Sequence, residues 1–332
     1  MRYLLLVLTV VVSSAVDAQT FKVATLAPDG TAWMQAFRAA ADEIKHKTEG
    51  RATFRFYPGG VMGSDQSVLR KMRVGQLQGG ALAGGGLSEI SPDVQLYSMP
   101  FLFRSYAEVD HVRPRIDAAI IDGLHENGYV AFGIGEGGFA YLMSDTAVRT
   151  TDDLRQRKVW APEGDEITRE AFASIGVAPI PLPLTDVLTG LQTGLIDTVA
   201  TSPTAGIALQ WHTRVKYVTD LPLAYIYGIF VLDRKAFERL APADQATVRD
   251  VMRATFEKLN AQARIDDQSA RNALQSQGIT FVKPSVSNTE EWERTVAPAV
   301  AELKRNAGFS PKVVSLLEQL IAELRRGSAG AQ

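Results

Sequence analysis

FKVATLAPDGTAWMQAFRAAADEIKHKTEGRATFRFYPGG, residues 21–60, decides the fold class. Phe21 to Leu26 is apolar and β-branched, the composition of a strand. Pro28-Asp29-Gly30 is a turn signal. Met34, Phe37, Ala41 and Ile44 then recur at helical spacing, which predicts an amphipathic helix to about Thr48. Ala52 to Tyr57 alternates as a strand does and stops at Pro58-Gly59-Gly60. Strand, helix, strand is the repeating unit of an α/β fold, and it predicts a largely parallel sheet.

The alternation continues outward. A helix is expected over Asp65 to Val74, with Val68, Leu69 and Met72 on one side, and a short buried strand over Ala81 to Ala83, ended by Gly84-Gly85-Gly86. A helix over Tyr106 to Asn127 precedes two strands, Tyr129 to Ile134 and Phe139 to Ser144. Val148 to Asp153 is polar and suits a connection between lobes. Beyond it the expected elements are strand 158–161, helices 166–175 and 185–193, strand 197–201, helix 205–213 and strand 215–219. Tyr225 to Leu232 reads as a long strand returning to the first lobe. The last third is helical: one long segment from Ala243 to Gln277, able to brace both lobes, then helices at Thr289 to Asn306 and Pro311 to Arg326.

The N-terminus carries an address. Arg2 is followed by an apolar run from Leu4 to Val12, and Val16 and Ala18 suit the −3 and −1 positions of a cleavage site. The run is shorter than the roughly 20 residues a membrane span needs. A cleavable signal peptide of residues 1–18 is therefore expected, with Gln19 as the mature start. The chain has 332 residues, so the mature part is long enough for two domains. Its 35 basic and 37 acidic residues leave no basic footprint for nucleic acid. With no cysteine there is no lipidated anchor, and release into the periplasm is the simplest expectation.

Catalytic chemistry is thin. His46, His111, His125 and His212 are scattered, and no HExxH or GxSxG spacing occurs. Gly133 to Gly138 fits GxGxxG, but a dinucleotide site needs a helix to begin there, and Phe139 to Met143 reads as a strand. No metal or cofactor is expected. Glu163-Gly164-Asp165-Glu166 stands at a helix start, where carboxylates favour the positive end of the dipole. An exported hydrolase using Glu163 or Asp165 is the competing reading.

Four stretches together resemble the solute receptors of tripartite ATP-independent periplasmic (TRAP) transporters, the DctP-like family. They are Ala24-Thr25-Leu26-Ala27-Pro28; Tyr57 to Ser64, leading to Leu69-Arg70-Lys71-Met72; Met99-Pro100-Phe101-Leu102-Phe103; and Pro181 to Leu188 followed by Leu191 to Asp197. The resemblance implies a two-lobed periplasmic-binding-protein fold with the ligand between the lobes and a helical C-terminal brace. Residues 19–145 plus 228–285 are expected as lobe I, 146–227 as lobe II, and 286–332 as helices packing on both. It implies a small organic solute handed to small and large permease subunits driven by an ion gradient, with no ATPase. A ligand-sensing periplasmic component of the same fold is a further alternative.

One position departs from the family pattern. Many members carry an arginine that pairs with a substrate carboxylate, inside a stretch that here reads Lys158-Val159-Trp160-Ala161-Pro162. Trp160 falls where that arginine would be, with Lys158 expected on the same face. Tryptophan offers a flat ring and one donor and cannot neutralise a carboxylate. A larger, more apolar or cationic solute is therefore expected in place of a simple dicarboxylate. The remaining cleft candidates, by position, are Trp33, Gly84, Gly85, Glu136, Gly137, Glu163, Thr185, Thr201, Gln210, Trp211, Tyr225 and Tyr227. For Trp160 and the other aromatics, burial in a lobe core is the competing reading.

Overall fold

The computed structural model describes residues 18–329, so the expected signal segment lies outside the described residues apart from Ala18. Strand β1, Gln19–Thr25, runs parallel to β2, Ala52–Tyr57, with Gln19 opposite Ala52. The helix between them, Ala32–Lys47, begins where the Thr31 side chain accepts from the Met34 amide. Its buried face is Met34, Phe37, Ala40 and Ile44, while Ala41 is only half-buried. Strand β3, Gly79–Ala83, adds parallel to β1.

Strand β4, Tyr129–Ser144, is one continuous strand where the sequence suggested two. Register shifts between Ala131 and Ile134 and between Glu136 and Gly138 absorb the glycines as bulges. Bulging leaves backbone groups without ladder partners, and Asn260 supplies them. Its amide donates to the Ile134 carbonyl at 3.0 Å and its oxygen accepts from the Glu136 amide at 2.8 Å.

Two short strands, β5 (Trp160–Pro162) and β6 (Ile180–Leu182), pair parallel as a separate ribbon. Strands β7 (Thr198–Thr201) and β8 (Tyr217–Thr219) pair antiparallel with the far end of β4. Strand β9, Ala224–Asp233, returns antiparallel to both β4 and β3. Strand β10, Thr280–Val282, runs parallel to β8. The sheet is therefore mixed rather than largely parallel, because the two long crossing strands enter it antiparallel. The main sheet reads β10-β8-β4-β9-β3-β1-β2, with β7 also on β4. Its β1–β3 end is the first lobe and its β7–β8–β10 end the second. Strand β10 lies at the opposite end of the sheet from β2, beside β8.

Separate apolar cores fill the lobes. On one face of the first half-sheet, Phe21, Phe37 and Phe230 pack with Phe256 of the helix Pro242–Ser276. On the other, Val112, Ile116 and Ile120 of the helix Tyr106–Glu126 pack with Leu317 and Leu320. Met143, Trp160 and Trp211 belong to a second-lobe core that also takes Leu274. The helix Pro242–Ser276 thus puts Phe256 in one lobe and Leu274 in the other, and spans both. The helix Val286–Asn306 does the same through Trp292 and Leu303.

Two expected helices break. Over 185–193 a 3-10 turn, Leu184–Asp186, precedes the helix Val187–Thr193, which Gly194 ends at φ +71°. Over 205–213 the helix is Pro203–Ala208, capped by Ser202; Gln210 at φ +61° then opens a 3-10 turn, Trp211–Arg214. The polar stretch 148–153 carries a short helix, Thr151–Arg155, with a capping box between Thr150 and Asp153.

Candidate functional site

A cavity of about 410 Å³ lies where the lobes face each other. The first lobe contributes the Ser64–Gln66 helix start, the glycine run 84–86 and Phe101. The second contributes Trp160, the loop Pro162–Asp165, Phe172 and Trp211. Tyr225 and Tyr227 line it from the crossing strand β9, and Trp292 from the helix Val286–Asn306. The lobes touch beside it. A Cβ on Gly60 would fall 2.7 Å from the Thr185 methyl, and one on Gly164 would strike the Gln66 amide.

Aromatic rings form much of the wall. The Trp160 indole N–H donates to the Leu182 carbonyl at 3.0 Å, so its one donor is already bonded. Its ring meets Trp211 edge-on, with centroids 5.1 Å apart. Tyr225 and Tyr227 stack at 6.2 Å. Burial pushes both phenols well above their ordinary range. Phe101 is a non-glycine residue at φ +54°, held by its backbone N–H, which donates to the Leu223 carbonyl at 2.8 Å. Strain of that kind persists only where the surroundings hold it.

The charge of the wall is one-sided. Asp65, Glu163 and Asp165 line the cavity, and among the described residues no lysine, arginine or histidine does. Asp65 is 9% exposed. Its Oδ2 accepts from the Ala83 amide at 3.1 Å, while its Oδ1 is buried with no partner. Burial pushes its carboxyl up to about 7. Asp165 caps the helix Glu166–Ser174, accepting from the Thr168 amide at 3.0 Å and hydroxyl at 2.8 Å. Burial raises its carboxyl as well, against those hydrogen bonds.

Of the residues the sequence pointed to, eight line the cavity: Gly84, Gly85, Trp160, Glu163, Thr201, Trp211, Tyr225 and Tyr227. Gly84 is there for packing, since a Cβ would strike the Tyr227 ring and hydroxyl. Thr185 is exposed at the contact with Gly60.

The other four lie elsewhere. Trp33 packs edge-on against Phe37 and Phe256 and over Gly135, in the core on the other face of the sheet. Glu136 is 6% exposed and is held by Arg113 at 3.2 Å and Arg264 at 2.9 Å, because a buried charge needs partners. Gly137 passes close under Ile226, where β4 and β9 are bonded. Gln210 is exposed. Lys158 is exposed and does not line the cavity; its ammonium donates to the Gly194 carbonyl at the helix end, 2.8 Å away.

Asp65, Phe101, Phe172 and Trp292 were missed. Asp65 follows Ser64 at a helix start, where a carboxylate already has a local explanation. Trp292 is brought in by the C-terminal helix, from a stretch whose sequence carries only a helical period.

Two lobes, two long crossing strands and a lined cavity between them define a ligand-capturing receptor. The description of bacterial extracellular solute-binding protein family 7, DctP, matches residues 23–306, and the chain belongs to that family. A solute-binding protein of Verminephrobacter eiseniae is 24% identical over 275 residues, 81% of this chain and 80% of that protein. An extracytoplasmic solute receptor of Bordetella pertussis, solved with pyroglutamic acid, superposes with a TM-score of 0.84 at 21% identity, covering 92% of this chain and 100% of that one. A TRAP solute-binding protein of Ralstonia eutropha H16, with bound (S)-2-hydroxy-2-methyl-3-oxobutanoate, gives 0.84 at 22%, covering 92% and 99%. The protein is accordingly a solute receptor and not a hydrolase. Receptors of this family capture small organic solutes and work with TRAP permeases. No helix among the described residues is long and apolar enough to cross a membrane.

Proposed function

We propose that this receptor takes a solute with an apolar body into the interlobe cavity and delivers it to the small and large subunits of a TRAP permease. The observation that carries the reading is the wall itself: among the described residues it has clustered aromatic rings, three carboxylates and no cationic side chain. An acid such as the pyroglutamic acid of the Bordetella pertussis receptor would here meet like charge, with nothing to neutralise it. Trp160, in the place of the expected arginine, gives ring surface instead.

The binding residues on this reading are Trp160, Trp211, Tyr225 and Tyr227, with Gly85 and Thr201 at the wall and Glu163 at the rim. Lobe I is 19–145 with 228–285, lobe II is 146–227, and the helices from 286 onward pack on both. The crossing of β4 and β9 between the half-sheets supports that division. The signal peptide is removed after Ala18 and the mature protein works in the periplasm; the order of charge, apolar run and small residues supports this.

Native mass spectrometry of the protein purified from its own host tests the function directly. One retained small molecule per chain, released unchanged on denaturation, is the expected result. A chemically altered product over time would defeat the receptor reading. The same spectrum gives the mature N-terminus by mass.

A further inference from the structure

We infer that the solute carries a cationic nitrogen, held between Asp65 of the first lobe and Asp165 of the second, with its apolar body against Trp160, Trp211 and Tyr225. This rests on the receptor reading above.

The first ground is the free oxygen of Asp65. A carboxylate this deeply buried is normally bonded on both oxygens, yet its Oδ1 has no partner within the protein. The second ground is that the other lobe lines the same cavity with a carboxylate, Asp165. Both border the glycine run: a Cβ on Gly86 would lie 2.6 Å from the Asp65 Oδ2, and one on Gly85 would lie 4.0 Å from the Asp165 Oδ2. The cavity therefore carries an acid from each lobe, and among the described residues no lysine, arginine or histidine of its wall offsets them. Thr168 donates to both Asp165 oxygens and the Ile167 amide donates to the same carboxylate, which leaves it acceptor capacity on its remaining lone pairs.

A bound ammonium resolves all of this. It donates to the free oxygen of Asp65 and to Asp165, and it restores the charge that burial disfavours on both. Because the two acids come from opposite lobes, the cation ties the lobes together, so binding and closure become one event. The rings suit the same ligand, since indole and phenol faces attract cations once water is excluded. A metal ion fits less well: among the described residues no three carboxylate or histidine side chains converge as metal ligands.

The test uses the mature full-length protein, stripped of ligand by unfolding and refolding. The probes are 2-phenylethylamine, benzyltrimethylammonium and cadaverine. Each is matched with an alcohol and a carboxylate on the same frame, and binding is read by thermal shift and calorimetry. Native mass spectrometry of host-purified protein runs alongside. The expected result is that a cation binds at least about tenfold more tightly than its matched alcohol and carboxylate. Asp65→Asn should weaken that cation about tenfold or more, and Asp165→Asn, which keeps a capping side chain, should weaken it less. Asp186→Asn, at an exposed position, should leave it unchanged.

The circular dichroism and melting temperature of the ligand-free variants show that they fold. Binding of a carboxylate or alcohol in preference to its cation, or an anion as the retained host ligand, overturns the inference and leaves the receptor reading standing. If no probe binds, the charge of the retained host ligand decides between support and refutation. No binding and no retained ligand overturns the receptor reading with it.

Discussion

Glu136 and Asp65 are both buried carboxylates, at 6% and 9% exposure, yet the molecule treats them in opposite ways. Glu136, on β4, is gripped by Arg113 and Arg264, which Asp117 and Asp110 hold in turn. Asp65, at the cavity, has one backbone amide and a bare oxygen. A fully paired buried charge belongs to the scaffold, whereas a half-paired one leaves room for something that the protein does not supply. The same contrast holds for the glycines. Gly135 is sealed against Trp33, while a Cβ on Gly85 would make only ordinary contacts of 3.6 Å or more.

The sharpest test of the contrast is pH. The Asp65 carboxyl is raised from 3.8 to about 7 in the fold, so the folded state binds this proton more tightly than the unfolded chain. Its contribution to stability is fully present below pH 4 and is lost as pH rises through 7, by up to about 4 kcal/mol. The difference in unfolding free energy between Asp65→Asn and the parent should change by an amount of that order between pH 4 and 8, in favour of the variant at high pH. A pH-independent difference in urea melts would show that Asp65 is not held as described.

Next in size, Glu136→Ala should cost about 3 kcal/mol at neutral pH, the low end for a broken buried pair, because Asp117 and Asp110 still face the two arginines. A loss below about 1 kcal/mol in denaturant melts would erase the distinction between the two acids. Gly135→Ala should cost about 1–3 kcal/mol, since Trp33 must move, and Gly85→Ala under about 0.5 kcal/mol. Equal losses would mean that the cavity wall is as tightly packed as the opposite face. A modest effect is the most telling about ligand choice. Trp160→Arg would give the cavity the cation it lacks and make it resemble the paired surroundings of Glu136. Preference should move toward carboxylates by about tenfold, read as the ratio of dissociation constants for matched carboxylate and cation probes. An unchanged ratio in a folded variant would remove Trp160 from the site.

Periodicity along the chain made most of the fold legible. The Met34–Phe37–Ile44 spacing located a helix face, and the alternation in 52–57 located a strand, because both depend on neighbours a few residues apart. The lobes were legible by resemblance. The sequence misled at Gly133–Gly138, where a glycine run looked like a gap between strands. Asn260, far along the chain, satisfies the bulged backbone and keeps β4 continuous. It misled again at Trp33 and Glu136, whose types suit a ligand site equally well. Which face of the sheet they occupy follows from how β4 lies against the helix Pro242–Ser276.

The sequence by itself determined the alternation of strands and helices, the helical C-terminal third and the family. Those features are local in the chain or fixed by residue identity. Only the tertiary structure decided which carboxylates are paired and which face the cavity. Asp65, Asp165 and Glu136 are alike as residues, and pairing depends on arginines and backbone amides brought to them, or kept from them, across the fold.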